Sequence, residues 1–176
     1  MYRINNLLKE KNQLFHTADL ALLWDIKNKN TLYTTIKRYV QKGILIPIHK
    51  GFYSTVSLDQ IHPYKLALGY LHHFTYISCE TVLIKEGIIF QKENYITLIS
   101  NIKRKFIVAG KNYLVRKAKD NFLYNRTGIT EKDDYFIASS ERAVADILYF
   151  YPKYHFDNRK AINWSQVKQI QKQLYL

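Results

Sequence analysis

The feature that most restricts the fold is an amphipathic helical segment followed at once by a strand-like pair of runs. Between Lys29 and Lys42, apolar residues recur at the spacing of one buried helical face, and Gly43 follows as a C-terminal capping glycine. Residues 44–56 then read ILIPIHKGFYSTV, two apolar, β-branched-rich runs separated by His-Lys-Gly. This pattern predicts a β-hairpin with Gly51 at its tip.

Two shorter helices are predicted before this one. Residues 4–11 carry apolar side chains on one face, and Thr17 is placed to cap a second helix that buries Leu20, Leu23 and Trp24. The polar sequence DIKNKN then makes a turn into the third helix. The order helix, helix, turn, helix, hairpin is typical of a winged helix-turn-helix, which we therefore predict for residues 1–56.

The exposed face predicted for the third helix carries hydrogen-bonding and cationic side chains. Such a face suits the major groove of DNA, where arginine reads guanine and threonine contacts a base edge or a thymine methyl group. Asn30 has two interpretations, an adenine contact or the helix cap. The predicted recognition-helix residues are Asn30, Thr31, Tyr33, Thr34, Thr35, Lys37, Arg38 and Lys42, and the predicted wing residues are His49, Lys50 and Tyr53.

The charge of the chain favours a polyanionic partner. Its 27 basic and 14 acidic residues give a net charge of +13. Residues 1–56 hold a net +6 and the longer remainder a net +7, so the first segment is about twice as basic per residue. The single cysteine, the lack of a long apolar run and the lack of a secretory signal predict a cytoplasmic protein without a membrane partner.

Residues 57–176 show an α+β pattern. Helices are predicted over residues 61–74 and 76–87, and strands at NYITLIS, KFIVAG and NYLVRKA, the last two forming a hairpin around Gly110. A short strand then leads into a helix capped by Ser139 or Ser140, and an amphipathic helix after Asn163 closes the chain. The predicted fold class is α+β, an N-terminal winged helix-turn-helix followed by a small mixed α+β domain.

Four short motifs follow one another over about residues 15–150. They are ADLA at residues 18–21, KGIL leading to KGFY at residues 42–53, YISCETVL at residues 76–83, and SSERAVAD at residues 139–146. In this combination the chain resembles the AbiEi antitoxins of abortive-infection toxin-antitoxin operons. The resemblance implies a winged helix that represses its own promoter and a C-terminal antitoxin domain that counters a nucleotidyltransferase-like toxin encoded beside it.

The expected partners follow from this resemblance and from the helix-turn-helix. They are double-stranded promoter DNA with inverted repeats, and the toxin as a functional partner, with direct contact between the two proteins left open. The resemblance implies a family in which the antitoxin acts without a stable complex with the toxin. A winged-helix regulator without a toxin is the alternative.

A second basic group lies in the C-terminal segment. It has three interpretations: a second DNA contact, a surface for RNA or an acidic toxin, or the solvated edge of a sheet, where lysine prevents aggregation. Its members are Lys103, Arg104, Lys105, Arg116, Lys117 and Lys119.

A winged-helix-targeted, metal-dependent nuclease is the alternative in the enzyme class. Such a domain holds a metal with carboxylates and places a lysine nearby. The triplet Asp25-Ile26-Lys27 falls in the predicted helix-turn-helix turn, while Asp133 and Asp134 are adjacent and would diverge in a strand. The sequence also lacks phosphate-loop and nucleophile-elbow motifs. We therefore expect no catalytic residues, no metal site and no cofactor.

A protein-interaction module is the remaining class. In that interpretation Trp164, Ile170 and Leu174 of the last helix dock a partner. The simpler interpretation, which we favour, is that the same residues close the core of their own domain.

Overall fold

The computed structural model describes residues 3–174 of the 176-residue chain. It shows a mixed α+β protein with two compact units, Met1–Tyr70 and Leu71–Leu176. The division falls between Tyr70 and Leu71, so most of the helix at Pro63–Leu71 belongs to the first unit. Its contacts explain this, since His16 Nε2 lies 2.7 Å from the Gly69 carbonyl oxygen and Phe52 packs edge-on against the Tyr70 ring.

Over residues 3–70, which the structure describes, the first unit combines four α-helices with a small antiparallel sheet. Strand order is β1-β3-β2, and the β2–β3 hairpin confirms the one predicted around Gly51. Strand β1 was not predicted, because three residues are too few to show a period. The elements are α1 (Arg3–Lys9), β1 (Leu14–His16), α2 (Thr17–Leu23), α3 (Lys29–Gln41), β2 (Ile46–His49), β3 (Phe52–Ser54), a short 3-10 turn (Leu58–Gln60) and α4 (Pro63–Leu71).

The cap of α2 differs from the prediction. His16, not Thr17, is the N-cap residue, and its backbone N–H donates to Asp19 Oδ2 at 2.7 Å. Thr17 is instead the first helical residue, and its backbone N–H and its hydroxyl both donate to the Gly51 carbonyl oxygen, at 2.9 and 3.3 Å. The predicted cap is wrong because the Thr17 side chain is used to hold the hairpin tip.

The first unit is built around a continuous apolar cluster. Trp24 also ties α2 to α1, because its indole Nε1 donates to the Arg3 carbonyl oxygen at 3.2 Å. Leu20 and Trp24, which are predicted to face inward, are in the cluster and Leu23 packs against it, whereas Leu8 on the predicted apolar face of α1 is 77% exposed. The buried members are Leu7, Phe15, Leu20, Trp24, Ile26, Leu32, Ile36 and Leu45.

The second unit is a six-stranded mixed sheet with helices. Strand order is β6-β7-β5-β4-β9-β8, with β5–β7 and β4–β9 parallel and the other pairs antiparallel. The elements are β4 (Thr75–Ile77), α5 (Glu80–Lys85), β5 (Ile96–Ser100), β6 (Arg104–Val108), β7 (Lys111–Lys117), α6 (Asp120–Leu123), β8 (Ile129–Lys132), β9 (Tyr135–Ala138), α7 (Ser140–Phe150), a 3-10 turn (Arg159–Ala161) and α8 (Trp164–Leu174).

The helix predicted from residue 76 begins later. Thr75–Ile77 is strand β4, with Tyr76 opposite Ile99 of β5 and Ile77 also opposite Ile137 of β9. Cys79 follows with a positive φ of 53°, so the chain turns sharply there and α5 starts at Glu80. The Cys79 thiol is fully buried, as expected for a small apolar residue, although it lies before the helix and not inside it.

The other predicted elements of this unit are present. The β6–β7 hairpin turns at Ala109 and Gly110, whose φ values of 48° and 70° fit a type I′ turn. Ser139 Oγ caps α7 by accepting from the Arg142 backbone N–H at 3.1 Å. Asn163 Oδ1 accepts from the Gln166 N–H at 3.2 Å at the start of α8.

Helix α8 closes the core of its own unit, as favoured above. Its buried face, with Val167, Ile170 and Leu174, lies against α7. Among residues 3–174 no helix has the length and apolar character needed to cross a membrane.

Candidate nucleic-acid interface

The first turn of α3 is capped by a residue that the sequence interpretation did not consider. Asn28 Oδ1 accepts from the Thr31 backbone N–H at 3.0 Å and from the Thr31 hydroxyl at 3.3 Å. The capping interpretation of Asn30 is therefore wrong, and its side chain lies exposed on the first turn. Asparagine is a favoured N-cap residue at position 28 and at position 30 alike, so only the backbone geometry shows which of the two caps the helix.

Thr35 does not belong to the exposed face of α3. It is 4% exposed, its hydroxyl donates to the Thr31 carbonyl oxygen at 2.8 Å, and Arg3 Nη1 donates to it at 3.3 Å. The prediction is wrong because position 35 is only about 60° around the helix from the buried Leu32. Thr35 fastens α1 to α3 and is not available to a ligand.

The rest of the predicted recognition helix is exposed as expected. Thr31, Thr34, Arg38 and Lys42 follow one another at helical spacings of three and four residues and so share one face. Tyr33 (56% exposed) and Lys37 lie beside this face. The exposed stripe is about three turns long, which is the length that a helix presents to a major groove.

The hairpin tip places two of the three predicted wing residues at the surface. His49 and Lys50 are exposed, and the His49 ring meets the Tyr70 ring edge-on at 5.5 Å. Tyr53 lies in the central strand β3, opposite Phe15 on one side and Pro47 on the other, and packs half-buried against the core. The structure thus separates Tyr53 from the tip and gives it a packing role.

Charge is distributed unevenly over this surface. Residues 26–58 contain six basic residues and no acidic residue, and all six basic side chains are exposed. These are Lys27, Lys29, Lys37, Arg38, Lys42 and Lys50, and we call this set the basic face. It combines positive charge with the hydrogen-bonding stripe of α3 on the same elements, which is the composition of a nucleic-acid interface.

The second predicted basic group is divided by the fold. Arg104 and Lys105 are on β6, an edge strand of the six-stranded sheet, where successive side chains point to opposite faces. Lys105 Nζ lies 5.1 Å from the centre of the Tyr95 ring. Lys103, Lys117 and Lys119 are exposed. The placement of Arg104 and Lys105 favours the interpretation as a solvated sheet edge, whereas Lys117 ends the interior strand β7.

Arg116 is not part of that group. Its Nη1 and Nη2 donate to Glu80 Oε2 and Oε1, both at 2.7 Å, and the two side chains are only 12% and 8% exposed. The prediction is wrong because the carboxylate partner lies 36 residues away in the chain. Arg116 therefore serves an ion pair inside the second unit.

Sequence reasoning missed a buried ionic network in the second unit. Arg142 and Asp146 are both fully buried, and Arg142 Nε donates to Asp146 Oδ1 at 2.7 Å. Asp146 Oδ2 accepts from Ser78 Oγ at 2.6 Å. The four remaining guanidinium N–H groups donate to Tyr76 Oη and to the carbonyl oxygens of Phe122, Asn125 and Thr127. The Arg-x-x-x-Asp spacing on a helix was the available signal.

This network joins two of the four motifs listed above. Tyr76 and Ser78 come from YISCETVL, and Arg142 and Asp146 come from SSERAVAD. Burial and the Asp146 charge raise the pKa of Tyr76 well above its usual range, so its hydroxyl remains protonated. The motifs therefore build the interior of the second unit.

The residues considered for a nuclease do not converge. Asp133 and Asp134 form the turn between β8 and β9, with φ values of 47° and 67°. Asp25 lies between α2 and α3, next to the buried Ile26. Over residues 3–174 no three His, Cys, Asp or Glu side chains are grouped so that they could hold a metal ion.

Comparison with known proteins gives no family for this chain. No protein-family model matches it, and no curated protein matches it at a significant level.

Proposed function

We propose that the first unit is a winged helix-turn-helix that binds double-stranded DNA. The observation that carries this proposal is the basic face, six exposed cations without an acidic residue over residues 26–58, on α3 and the β2–β3 hairpin. Helix α3 enters the major groove, where Arg38 reads a guanine edge and Thr31 and Thr34 contact bases. Lys50 and His49 at the hairpin tip contact the phosphate backbone.

The packing of the first unit supports this mode of binding. Leu20 and Trp24 of α2 and Leu32 and Ile36 of α3 share one core, so α3 has a fixed position on α2. The two Thr17 hydrogen bonds to the Gly51 carbonyl oxygen hold the hairpin tip at the start of α2. A helix and a wing held by one rigid core can contact the same duplex without an ordering penalty on binding.

We further propose that the protein is an autorepressor and antitoxin of the AbiEi type, acting in the cytoplasm. Bound to inverted repeats in its own promoter, the first unit would occlude RNA polymerase. The second unit would counter a nucleotidyltransferase-like toxin. The support for this half is the resemblance of the four motifs, two of which meet in the Arg142–Asp146 network.

The DNA proposal is tested by reversing two charges on the basic face and, as a control, two charges elsewhere. Titration of a fluorescent promoter duplex should give a clear loss of affinity for the double variant Lys37→Glu/Lys50→Glu. The matched control is Lys168→Glu/Lys172→Glu, two exposed lysines on α8 with the same change in net charge. Because affinity then depends on where the charge lies, the control should bind nearly as tightly as the unaltered protein.

Two results would contradict the proposal. Equal losses for both double variants would show a general charge effect with no interface on α3. No measurable affinity for any duplex at low ionic strength would remove DNA as the partner.

A further inference from the structure

Arg126, in the segment after α6, packs on aromatic rings at the surface of the second unit. Its side chain is exposed, and its Cζ lies 4.0 Å from the centre of the Phe74 ring and 4.4 Å from that of the Phe136 ring. The two ring centres are 5.4 Å apart, with the ring planes at 60°. Contact with both rings restricts the position of the guanidinium and uses none of its N–H groups.

The N–H groups of Arg126 are available to a ligand. Arg142 packs in the same way on Tyr76 and Phe122, with Cζ 5.3 and 5.0 Å from the ring centres, but its five N–H groups all donate to protein acceptors. Within the described part of the chain, residues 3–174, the Arg126 guanidinium has its ring contacts but no hydrogen-bond or ion-pair partner. A planar guanidinium of this kind matches the two oxygens of a phosphate or a carboxylate.

Tyr124 supplies an exposed ring beside this cation. Its side chain is 53% exposed, and its ring stacks on Phe74, with the ring centres 5.6 Å apart and the planes at 27°. Phe74 therefore contacts the Tyr124 ring and the Arg126 guanidinium together, which makes them neighbours on one surface. A carboxylate ligand would use the cation alone. A nucleotide of a single strand uses both groups, because its base stacks on a ring and its phosphate binds the cation.

The charge of the second unit favours a polyanion. Residues 71–176 contain 17 basic and 10 acidic residues. One carboxylate borders the site, because Glu131 lies opposite Phe136 in the β8–β9 pair and so is on the same face of the sheet. A phosphate is therefore favoured on the Phe74 side of Arg126, where Tyr124 also lies.

The openness of this surface favours a strand over a free nucleotide. Tyr124 and Arg126 are both exposed, so a single nucleotide would be covered on one side only, unlike the ligand of an enclosed pocket. In a strand, neighbouring phosphates add their attraction to the excess positive charge. The bases of a single strand are also free to stack on a side chain, whereas those of a duplex are stacked on each other.

We propose that Tyr124 and Arg126 form a binding site for single-stranded nucleic acid. One base stacks on the Tyr124 ring, and the adjacent phosphate accepts from two N–H groups of Arg126, which Phe74 and Phe136 hold in place. Because every base has a flat face, this contact has no strict base preference. The site lies wholly in the second unit and does not depend on duplex binding by the first.

The test is titration of the full-length protein with a short fluorescent oligouridylate, followed by anisotropy. Tyr124→Leu should lower the affinity roughly 5- to 100-fold, the range expected for loss of a base–aromatic stack, whereas Tyr124→Trp should keep it. Tyr151→Leu is the matched control, because Tyr151 is a tyrosine of the same unit with a similar exposure, 50%. It should leave the affinity unchanged.

Two replacements of Arg126 separate its geometry from its charge. Arg126→Lys keeps the charge but not the planar pair of donors, so the affinity should fall about three- to tenfold with the salt slope unchanged. Arg126→Ala should in addition reduce the salt slope by about 0.7, the value for one phosphate contact on a single strand. Arg159→Lys is the control and should have no effect, since Arg159 is also exposed and packs on a ring, 5.0 Å from the centre of Trp164.

Three further measurements complete the test. Thermal unfolding shows whether each variant folds, and in Tyr124→Trp a stacked base should quench the added tryptophan fluorescence, which detects the contact in a variant that keeps the ring. An oligodeoxyuridylate of the same length identifies the source, because the more tightly bound strand shows whether the ligand is RNA or DNA. Tyr124→Leu should leave the affinity for the promoter duplex unchanged, so this site and the basic face are tested separately.

Several results would overturn the proposal. They are no measurable oligouridylate binding at low ionic strength, similar losses in Tyr124→Leu and Tyr151→Leu, no effect of Arg126→Lys, and no quenching in Tyr124→Trp. A polyglutamate peptide of equal charge that binds as tightly as the oligouridylate would show that the partner is an acidic chain. If Lys37→Glu/Lys50→Glu abolishes oligouridylate binding, the strand binds the basic face and not this site.

Discussion

Arg142 is fully buried in the second unit, and its side chain needs many hydrogen-bond partners there. A guanidinium removed from water needs an acceptor for each of its five N–H groups, and Arg142 has them all in Asp146, Tyr76 and three backbone carbonyl groups. Those carbonyls come from α6 and the segment before β8. One arginine thus fixes an otherwise irregular stretch of chain.

Replacing its charge partner should be strongly destabilising. In Asp146→Asn the side-chain shape is kept, but the Arg142 charge stays buried without a counter-charge. We expect a loss of about 3–5 kcal/mol in the free energy of unfolding, measured by urea denaturation. Glu141→Gln, one position before Arg142, removes only a first-turn dipole interaction and should lose about 1 kcal/mol or less. Similar losses for both variants would mean that the network contributes little.

Arg38 is the residue on which sequence preference should depend. If it reads a guanine, Arg38→Ala should reduce the difference in affinity between the promoter and a scrambled duplex by about 1–3 kcal/mol. Lys50→Ala is the comparison, because a phosphate contact carries no sequence information. It should weaken binding to both duplexes alike and reduce the salt slope by about one. An unchanged preference in Arg38→Ala would show that other residues read the bases.

At the scale of elements, the long periodic segments could be predicted and the short buried ones could not. Helix α3 has 13 residues, enough for its period to be recognised, and α8 shows the same. Strand β4 has three residues, all buried, so Tyr76–Ile77 has no alternation that distinguishes it from a helix. Strand β8 has four residues at the sheet edge, three of them exposed, and only Ile129 and Thr130 are strand-forming, which is too short a run to be recognised.

The residues of the candidate site also differ in how far the sequence predicts them. The exposure of Arg38 and Lys42 can be predicted, because the apolar spacing in the sequence of α3 shows which face of the helix is buried. The burial of Thr35 follows from its place next to Leu32 at the border of the apolar face, but its contact with Arg3 and the pairing of Arg116 with Glu80 depend on partners distant in sequence, which no local pattern reveals. Side chains near the border of a helix face are therefore the least predictable members of a binding surface.

Replacing Gly51 should destabilise the hairpin tip by more than the backbone strain alone. At Gly51 φ is +75°, and an added Cβ would lie 3.2 Å from Thr17 Oγ1. Gly51→Ala combines backbone strain of about 1–2 kcal/mol with crowding of the Thr17 contact. Gly43→Ala is the control, since its φ of +68° is similar but no atom lies within 4 Å of the added Cβ.

Thermal unfolding and duplex titration check this prediction together. Gly51→Ala should be the less stable variant and, if the first unit binds DNA as proposed, should weaken binding to all duplexes, because the position of the hairpin tip is disturbed. Gly43→Ala should show the backbone strain alone. Equal stability of the two variants would mean that the Thr17 contact adjusts freely.

On the scale of the whole molecule, each unit has a core of its own. The first is built around Leu20, Leu32 and Ile36, and the second includes Leu98, Val115 and Ile147 at 0% exposure. Separate cores allow separate functions, because each unit can bury its own apolar surface. This organisation suits the proposed assignment of DNA binding to one unit and antitoxin activity to the other.

A truncated protein tests that assignment. A fragment of residues 1–71 keeps α4, whose Gly69 and Tyr70 contact His16 and Phe52 in the first sheet, and so should fold. We expect it to bind the promoter duplex within about threefold of the full-length protein, because the basic face is complete. In cells that express the proposed nucleotidyltransferase-like toxin, the fragment should fail to protect growth. Full protection without residues 72–176 would refute the antitoxin role of the second unit, and loss of duplex binding by a folded fragment would show that the basic face is insufficient.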